Sequence, residues 1–246
     1  MNNFKIIANW KMNGSKEEVK SWINFFKDNV EYKNHSDCFF CPPACYLNNA
    51  NEIISSNNLK LNLGSQDLDP DSDNPSTGGI NGKMLKDLGC DYVLIGHSER
   101  RSLFSEDEEV LLKKLTSAVK HELKVIYCVG ETKEQKERGL ATEAIKIQLK
   151  ILKGLPVDLI SVAYEPVWSI GQGITPSLDS IHEMHQTIKD ELKSILNTEE
   201  NIAISYGGSV SADNAVSISS LNSVDGLLIG GASLNPESFS KVVNNI

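Results

Sequence analysis

The sequence has no long apolar run, and its first residues show no targeting pattern. No stretch approaches the ~20 apolar residues that a helix needs to cross a bilayer. The charged and then apolar pattern of a secretory signal peptide is also missing, and an apolar run begins at Phe4. We therefore expect a cytoplasmic protein with no membrane partner.

Cysteine and positive charge are also scarce. Five Cys, an odd number in a chain of 246 residues, do not predict a disulfide framework. The formal net charge of −9 argues against a basic surface for nucleic acid or for an anionic membrane. It does allow a small anionic substrate, because a few local donors can bind a phosphate within an acidic protein.

Two groups of possible metal ligands have unsuitable spacing. The first group comprises His35, Cys38, Cys41 and Cys45. If this segment is a strand, Cys38 and Cys41 point to opposite faces and cannot share a metal ion. His182 and His185 lie one position closer together than the two histidines of an H-E-x-x-H zinc motif. We expect neither a metal nor another cofactor.

The chain repeats one structural unit eight times, a short apolar run followed by a helical pattern. The predicted strands are Lys5–Asn9, Asp37–Cys41, Lys60–Gln66, Tyr92–Ile95, Lys124–Val129, Ile160–Tyr164, Ile202–Ser205 and Gly226–Ile229. Strands that alternate with helices favour parallel pairing. Eight such units predict an α/β fold, a single-domain (β/α)8 barrel over residues 1–246. A doubly wound sheet is the alternative, but no G-x-G-x-x-G motif follows the first strand.

Capping patterns predict where several of the helices begin. Some combine Ser or Thr with Glu or Gln three positions later, and others place Pro directly after the N-cap residue. These patterns are Ser15 to Glu18, Ser105 to Glu108, Thr132 to Gln135, Thr175-Pro176 and Asn235-Pro236.

Polar and glycine residues follow the predicted strands at their C-terminal ends, where such barrels carry their active sites. They are Asn9, Lys11, His97, Glu99, Glu165, Gly207-Gly208-Ser209 and Gly230-Gly231. Each has a structural explanation when taken alone, such as an ion pair for Glu165 or a turn for the glycines. A Lys, a His and a Glu at one mouth, beside two glycine-rich loops, together predict an active site that binds phosphate.

The segment after Glu165 predicts a general base beneath a moving loop. Pro166 ends the strand, because proline has no N–H for the ladder. An apolar loop that contains Trp168 and Gly171 follows. A carboxylate at a strand tip can act as a base when such a lid excludes water.

Five segments resemble the triosephosphate isomerase family over nearly the whole chain. They are Asn9-Trp10-Lys11-Met12-Asn13, Gly96-His97-Ser98-Glu99-Arg100-Arg101, Ala163-Tyr164-Glu165-Pro166-Val167-Trp168, Tyr206-Gly207-Gly208-Ser209-Val210 and residues 225–234. Their order and spacing make the resemblance specific. It implies a TIM barrel that interconverts dihydroxyacetone phosphate and D-glyceraldehyde 3-phosphate, in glycolysis and gluconeogenesis, without a cofactor.

The resemblance also implies a role for each residue at the mouth. Glu165 resembles the base that removes the proton α to the carbonyl. His97 resembles the electrophile that polarises the carbonyl, and this family is itself the known example of a neutral imidazole in that role. Lys11 and Asn9 resemble the groups that stabilise the enediolate oxygen, and Glu99 matches a second carboxylate beside them. The implied phosphate-binding residues are Gly171, Ser209, Gly230 and Gly231.

The family is dimeric, so the resemblance implies a homodimer in which Thr77 reaches into the partner's site. Three positions depart from the family pattern. Ile174-Thr175-Pro176 is two residues shorter than the usual end of the lid, which predicts altered closure. Gly79 replaces a usual Glu, which predicts the loss of an interface ion pair. Lys189 replaces a usual Arg, which predicts looser support for the lid region.

Two other functions fit the same barrel. A binding module would hold a phosphorylated ligand without turnover, and another sugar-phosphate isomerase would act on a different substrate. The joint presence of Lys11, His97 and Glu165 favours an enzyme, and a tight lid favours a three-carbon substrate.

Overall fold

Eight parallel strands close into a barrel in the computed structural model, which describes residues 3–31, 36–71, 75–171 and 174–246. The strands are β1 (Phe4–Asn9), β2 (Ser36–Cys41), β3 (Leu61–Ser65), β4 (Tyr92–Ile95), β5 (Lys124–Val129), β6 (Ile160–Tyr164), β7 (Ile204–Tyr206) and β8 (Gly226–Ile229). Each strand pairs in parallel with the next, and β8 pairs with β1. The predicted (β/α)8 barrel is confirmed.

Helices connect the strands around the outside of the barrel. They are α1 (Lys16–Asn29), α2 (Leu47–Ser56), α3 (Gly82–Asp87), α4 (Ser98–Leu103), α5 (Glu108–Lys120), α6 (Lys133–Glu137), α7 (Ala141–Leu149), α8 (Leu178–Leu196), α9 (Ala215–Ser219) and α10 (Pro236–Asn245). Ser15 caps α1, Thr132 forms a complete capping box on α6, and Asn235 caps α10 with Pro236 in its first turn. These three helix starts are as predicted.

Two predicted helix starts are wrong, because nearer residues make the caps. Asp107 is the N-cap of α5 and accepts a hydrogen bond from the Val110 amide. Ser177 is the N-cap of α8 and accepts one from the Ser180 amide. Thr175 instead directs its hydroxyl to the loop after β7, a contact between distant segments that local sequence does not reveal.

Apolar side chains fill both the inside of the barrel and the layer between strands and helices. Those inside include Ile7, Phe39, Cys41, Leu94, Ile126, Cys128, Ala163 and Leu228. In the outer layer, Trp22 stacks on Phe40 with ring centroids 4.6 Å apart. Each large apolar side chain buried in this way stabilises the fold by roughly 1.5–3 kcal/mol. The barrel is therefore a rigid support for the loops at its two ends.

The described residues contain no group of side chains suited to hold a metal ion. Cys38 belongs to the outer apolar layer and Cys41 to the barrel interior, so the two point to opposite faces as predicted. His35 lies outside the described residues. Within those residues, no helix combines the length and the apolar character that crossing a membrane requires.

Candidate active site

The polar residues at the C-terminal ends of the strands surround one cavity of about 230 Å³. Its lining includes Asn9, Lys11, His97, Glu165, Gly171, Ser209, Gly230 and Gly231. Parallel strands bring these residues to the same end of the barrel, although they lie as much as 222 positions apart in sequence. Eight of the predicted site residues therefore meet at one mouth.

Glu165 follows β6 and is almost completely buried, with 2% of its surface exposed. Its Oε2 accepts a hydrogen bond from the Ser98 amide at 3.1 Å, and its Oε1 lies 3.0 Å from Nε2 of His97. Its own amide donates to the Val129 carbonyl at 2.8 Å. Gly130 packs against this backbone so closely that a Cβ there would overlap the Glu165 carbonyl. Glu165 is thus held in place by the ends of two neighbouring strands, β5 and β6.

His97 is the N-cap residue of α4, directly after β4. Its Nδ1 accepts a hydrogen bond from the Glu99 amide at 3.2 Å. Because an accepting Nδ1 carries no proton, the neutral ring holds its proton on Nε2, the atom that faces Glu165. The start of the helix therefore selects the tautomer that can donate a hydrogen bond into the cavity.

His97 and Glu165 shift each other's pKa in opposite directions. Burial alone would lower the pKa of His97, but the Glu165 carboxylate outweighs it and raises that pKa above the ordinary value. Burial would raise the pKa of Glu165, but the charge and hydrogen bond of His97 and the Ser98 amide lower it. Each side chain therefore favours the charged form of the other, and in the neutral ring the same contact is a hydrogen bond from Nε2–H of His97 to the Glu165 carboxylate.

Replacing His97 with Gln is expected to remove a pH-dependent part of the stability. The raised pKa of His97 stabilises the folded state below its ordinary value of 6.5, and this is lost as pH rises through the raised value. The lowered pKa of Glu165 adds stability above 4.5, which is lost as pH falls. Urea unfolding should show wild type more stable by about 1.5–3 kcal/mol near pH 5.5, and by less near pH 9. A difference that is constant across this range would contradict the coupling between His97 and Glu165.

Lys11 lies just beyond β1 in a left-handed backbone conformation, with φ of 54°. The Asn9 side chain accepts the Lys11 amide at 3.1 Å, and Gln66 donates to the Lys11 carbonyl at 2.9 Å. Lys11 Nζ lies 2.6 Å from Glu99 Oε1. These contacts hold an uncommon conformation and aim the ammonium group at the cavity. Gln66 was not among the predicted site residues, although its place at the C-terminal tip of the predicted third strand was a usable signal.

The side of the cavity suited to an anion is formed by the backbone of Gly171, Gly230 and Gly231 and by Ser209. Ser233 is buried, and its amide and hydroxyl both bond to the Gly230 carbonyl, at 2.8 and 2.7 Å. This fixes the tight turn after β8 and leaves Gly230 and Gly231 facing the cavity without side chains. Gly171 lines the cavity with φ of 69°, a conformation that favours glycine. A phosphate can approach the backbone closely at these positions.

Comparison with known proteins identifies the family. The family model described as triosephosphate isomerase matches residues 4–246. This chain belongs to the triosephosphate isomerase family. It is 41% identical over 251 residues to the triosephosphate isomerase of Finegoldia magna, covering 97% of each chain. It is 38% identical over 242 residues to that of Aquifex aeolicus, again with 97% of each chain covered. For Francisella tularensis subsp. novicida the identity is 39% over 244 residues, with 97% of this chain and 95% of the relative covered.

The lid of this triosephosphate isomerase family member starts with a short helical turn over Val167–Ser169. Trp168 Nε1 donates to Glu131 Oε1 at 2.6 Å, and the Tyr164 hydroxyl donates to the same oxygen at 3.2 Å. Burial raises the pKa of Glu131, although these two donors oppose the effect. Lys136 lies over the Trp168 ring, 3.0 Å from its centroid. Glu131 lies two residues after β5, at the same end of the barrel as the predicted site residues, and was not among them.

Thr77 does not line this chain's own cavity. It is exposed on the turn between β3 and α3. Asp69 fixes the base of that loop, because its carboxylate accepts the Ile80 amide at 2.8 Å. Gly79 closes the turn by donating to the Ser76 carbonyl at 3.2 Å.

The two other departures from the family pattern are Lys189 and the shortened end of the lid. Lys189 Nζ lies 3.0 Å from Asp225 Oδ2, and the same oxygen accepts the Ile204 amide at 2.9 Å. Lys189 therefore supports the start of β7, at the opposite end of the strand from the lid. Of the shortened lid end, Gln172 and Gly173 lie outside the described residues.

Proposed function

We propose that this chain interconverts dihydroxyacetone phosphate and D-glyceraldehyde 3-phosphate through an enediolate intermediate. The observation that carries the proposal is the direct contact of Glu165 Oε1 with His97 Nε2, 3.0 Å apart, in the wall of the cavity of about 230 Å³. A substrate placed between the two groups presents a C–H to the carboxylate and its carbonyl oxygen to the imidazole. Family membership supports the same reaction.

Proton transfer by the two side chains accounts for the chemistry. Glu165 removes the proton from the carbon next to the carbonyl, and the enediolate oxygen that forms takes the Nε2 proton of His97. The neighbouring hydroxyl then gives its proton to His97 while Glu165 returns a proton to the other carbon, which yields the isomer. Substrate also separates Glu165 from His97, and this removes the charge that raises the pKa of His97. The ring is then neutral, as the Glu99 amide on Nδ1 requires.

The remaining residues hold the substrate and its developing charge. Lys11 stabilises the enediolate oxygen, and Asn9 holds the Lys11 backbone in place. Glu99 positions Lys11 through its carboxylate and His97 through its amide. The phosphate-binding residues are Gly171, Ser209, Gly230 and Gly231, as the resemblance implies.

The assembly and location extend the proposal. We expect one domain over residues 1–246 and a homodimer in the cytoplasm, where the enzyme would serve glycolysis and gluconeogenesis. Exposed apolar side chains near the mouth support a partner subunit, because Met12, Leu103 and Phe104 are 96%, 74% and 63% exposed. In such a dimer, Thr77 would enter the site of the partner subunit.

Steady-state conversion of D-glyceraldehyde 3-phosphate tests the proposed reaction. The wild-type chain should turn over this substrate far faster than its Glu165→Gln variant. Equal rates would overturn the proposal and leave a phosphate-binding barrel. Turnover of five- or six-carbon sugar phosphates in preference to the triose would instead assign another isomerase reaction.

Replacing Lys11 with Met is expected to lower kcat/KM by about 10²-fold, because a hydrogen bond to a charged group contributes roughly 1.5–3 kcal/mol. Both KM and kcat should suffer, since the ammonium group faces the substrate in the ground state and in the transition state. Initial rates over a range of substrate concentrations measure the effect. Lys16→Met, on the exposed start of α1, is the matched control. An unchanged kcat/KM in the Lys11 variant would exclude the role.

A further inference from the structure

Asn214 bridges two residues of the loop after β7 with the two polar atoms of its side chain. Its Nδ2 donates to the Ser209 carbonyl at 3.0 Å, and its Oδ1 accepts the Ser211 amide at 2.8 Å. These partners fix the orientation of the amide. If its oxygen and nitrogen were exchanged, the oxygen would face the Ser209 carbonyl and the nitrogen would face the Ser211 amide, and neither pair could form a hydrogen bond. Asn214 does not line the cavity, so it acts on the site through Ser209.

Ser209 in turn contacts the lid segment on both sides. Its hydroxyl donates to the carbonyl of Ser169, at the N-terminal end of the lid, at 2.8 Å. Its carbonyl accepts from the hydroxyl of Thr175, at the C-terminal end, at 3.3 Å. Thr175 Oγ1 also lies 3.4 Å from Asn214 Nδ2. Asn214, Thr175 and Ser209 thus form one hydrogen-bonded triangle beside the cavity.

The triangle lies where the lid is two residues shorter than the family pattern. The hydroxyl of Tyr206 is also buried on this side of the barrel, and among the described residues it makes no hydrogen bond to the C-terminal end of the lid. The described part of the lid's C-terminal end is therefore held by Thr175 rather than by Tyr206.

We propose that Asn214 is a positioning residue that keeps the phosphate-binding loop in register with the C-terminal end of the lid. The inference rests on the proposed function, since it assigns Asn214 to the binding of the substrate phosphate. Ser209 holds the phosphate in the ground state and in the transition state alike. Loss of its support therefore weakens binding more than it slows the chemical step.

Asn214→Ala should raise KM about 10-fold and change kcat less than threefold. It should also weaken calorimetrically measured binding of inorganic phosphate and of 2-phosphoglycolate by a similar factor. Asn214→Asp keeps the acceptor for Ser211 but loses the donor to Ser209, so it should not restore KM. Thr175→Val should raise KM about threefold, whereas Thr175→Ser keeps the hydroxyl and should match wild type. The matched control is Asn48→Ala, an exposed Asn on α2 that donates to Glu52 at 2.8 Å.

A double variant tests whether the two residues act as one unit. Asn214→Ala with Thr175→Val should raise KM no more than twofold beyond Asn214→Ala alone, because both act on the Ser209 carbonyl. If the increase in KM of the double variant equals the product of the increases of the two single variants, the shared role is overturned. An unchanged KM in Asn214→Ala, or a normal KM in Asn214→Asp, would reduce Asn214 to a local cap on the turn. If Asn214→Ala does not fold, an unchanged KM in Thr175→Val overturns the proposal.

Failure of the proposed function gives a different result. The wild-type chain would then show no triose phosphate turnover. Binding of inorganic phosphate to the wild type and to Asn214→Ala still measures the support given to the loop. Equal affinities in that case would overturn the inference as well.

Discussion

Glu165→Gln is expected to lower kcat by about 10³–10⁴-fold, near the upper end of what a positioned general base contributes. Glutamine has nearly the same shape as glutamate but cannot accept the substrate proton. The buried position of Glu165 leaves no room for water to take over, because only 2% of the residue is exposed. The amide can still accept the Ser98 amide hydrogen bond, so the fold of the site should persist.

Two measurements separate loss of the base from loss of the site. Steady-state kinetics gives kcat, and calorimetry gives the affinity for inorganic phosphate, which should stay within a few-fold of wild type. Glu237→Gln, at the exposed start of α10, is the control for a charge change alone and should leave kcat unaltered. A Glu165→Gln enzyme with more than a tenth of wild-type kcat would show that another group removes the proton.

The barrel was predictable from sequence because its strands are short apolar runs with consistent spacing. Seven of the eight observed strands lie within one residue of their predicted bounds at both ends, including β4, β6 and β8. The prediction for β7 began two residues early, at Ile202, since apolar character continues beyond the residues that form the ladder. Burial determines where apolar residues occur in the sequence, whereas hydrogen bonding to a neighbouring strand determines where a strand begins.

The mouth was predictable because the order of strands alone decides which tips meet. His97 and Glu165 are 68 positions apart, yet both follow strands of the same closed barrel. The supporting contacts were not predictable in this way. The hydrogen bonds of Gln66 with Lys11 and of Trp168 with Glu131 depend on side-chain directions that only the folded backbone fixes.

Helix starts show the same limit on a smaller scale. Ser105 matches a capping box, but its φ of 55° is not that of a capping residue, and Asp107 makes the cap. Thr175 has a good N-cap sequence, but its hydroxyl contacts Ser209. In both places a local pattern competes with a second cap or with a tertiary contact, and sequence spacing does not decide between them.

A buried charge cluster beneath the loop that leads to Thr77 should have the largest effect on stability. Lys114, on α5, has only 3% of its side chain exposed. Its Nζ lies 2.7 Å from both oxygens of Asp67 and 2.6 Å from Glu106 Oε1. Arg100 contacts the same two carboxylates at 2.7 Å. Two cations therefore compensate two buried carboxylates.

Lys114→Met is expected to lower the free energy of unfolding by about 3–5 kcal/mol, because removing one partner leaves a buried charge uncompensated. Arg100 alone would then have to balance both acids. Urea unfolding at a fixed protein concentration measures the change. Lys113→Met is a matched control, since Lys113 is the adjacent residue on α5, is 59% exposed and pairs with the exposed Glu109. That control should change stability by less than about 0.5 kcal/mol.

The loss caused by Lys114→Met should grow with pH. Burial raises the pKa of Asp67 to about 6, against an ordinary value of 3.8, although Lys114 opposes the shift. Without Lys114 the pKa rises further, and a carboxyl group whose pKa is raised on folding loses stability as pH rises from its unfolded value. The difference between wild type and variant should therefore be larger near pH 8 than near pH 5. A difference below about 1 kcal/mol at pH 8, or one that shrinks with rising pH, would show that Arg100 alone compensates the cluster.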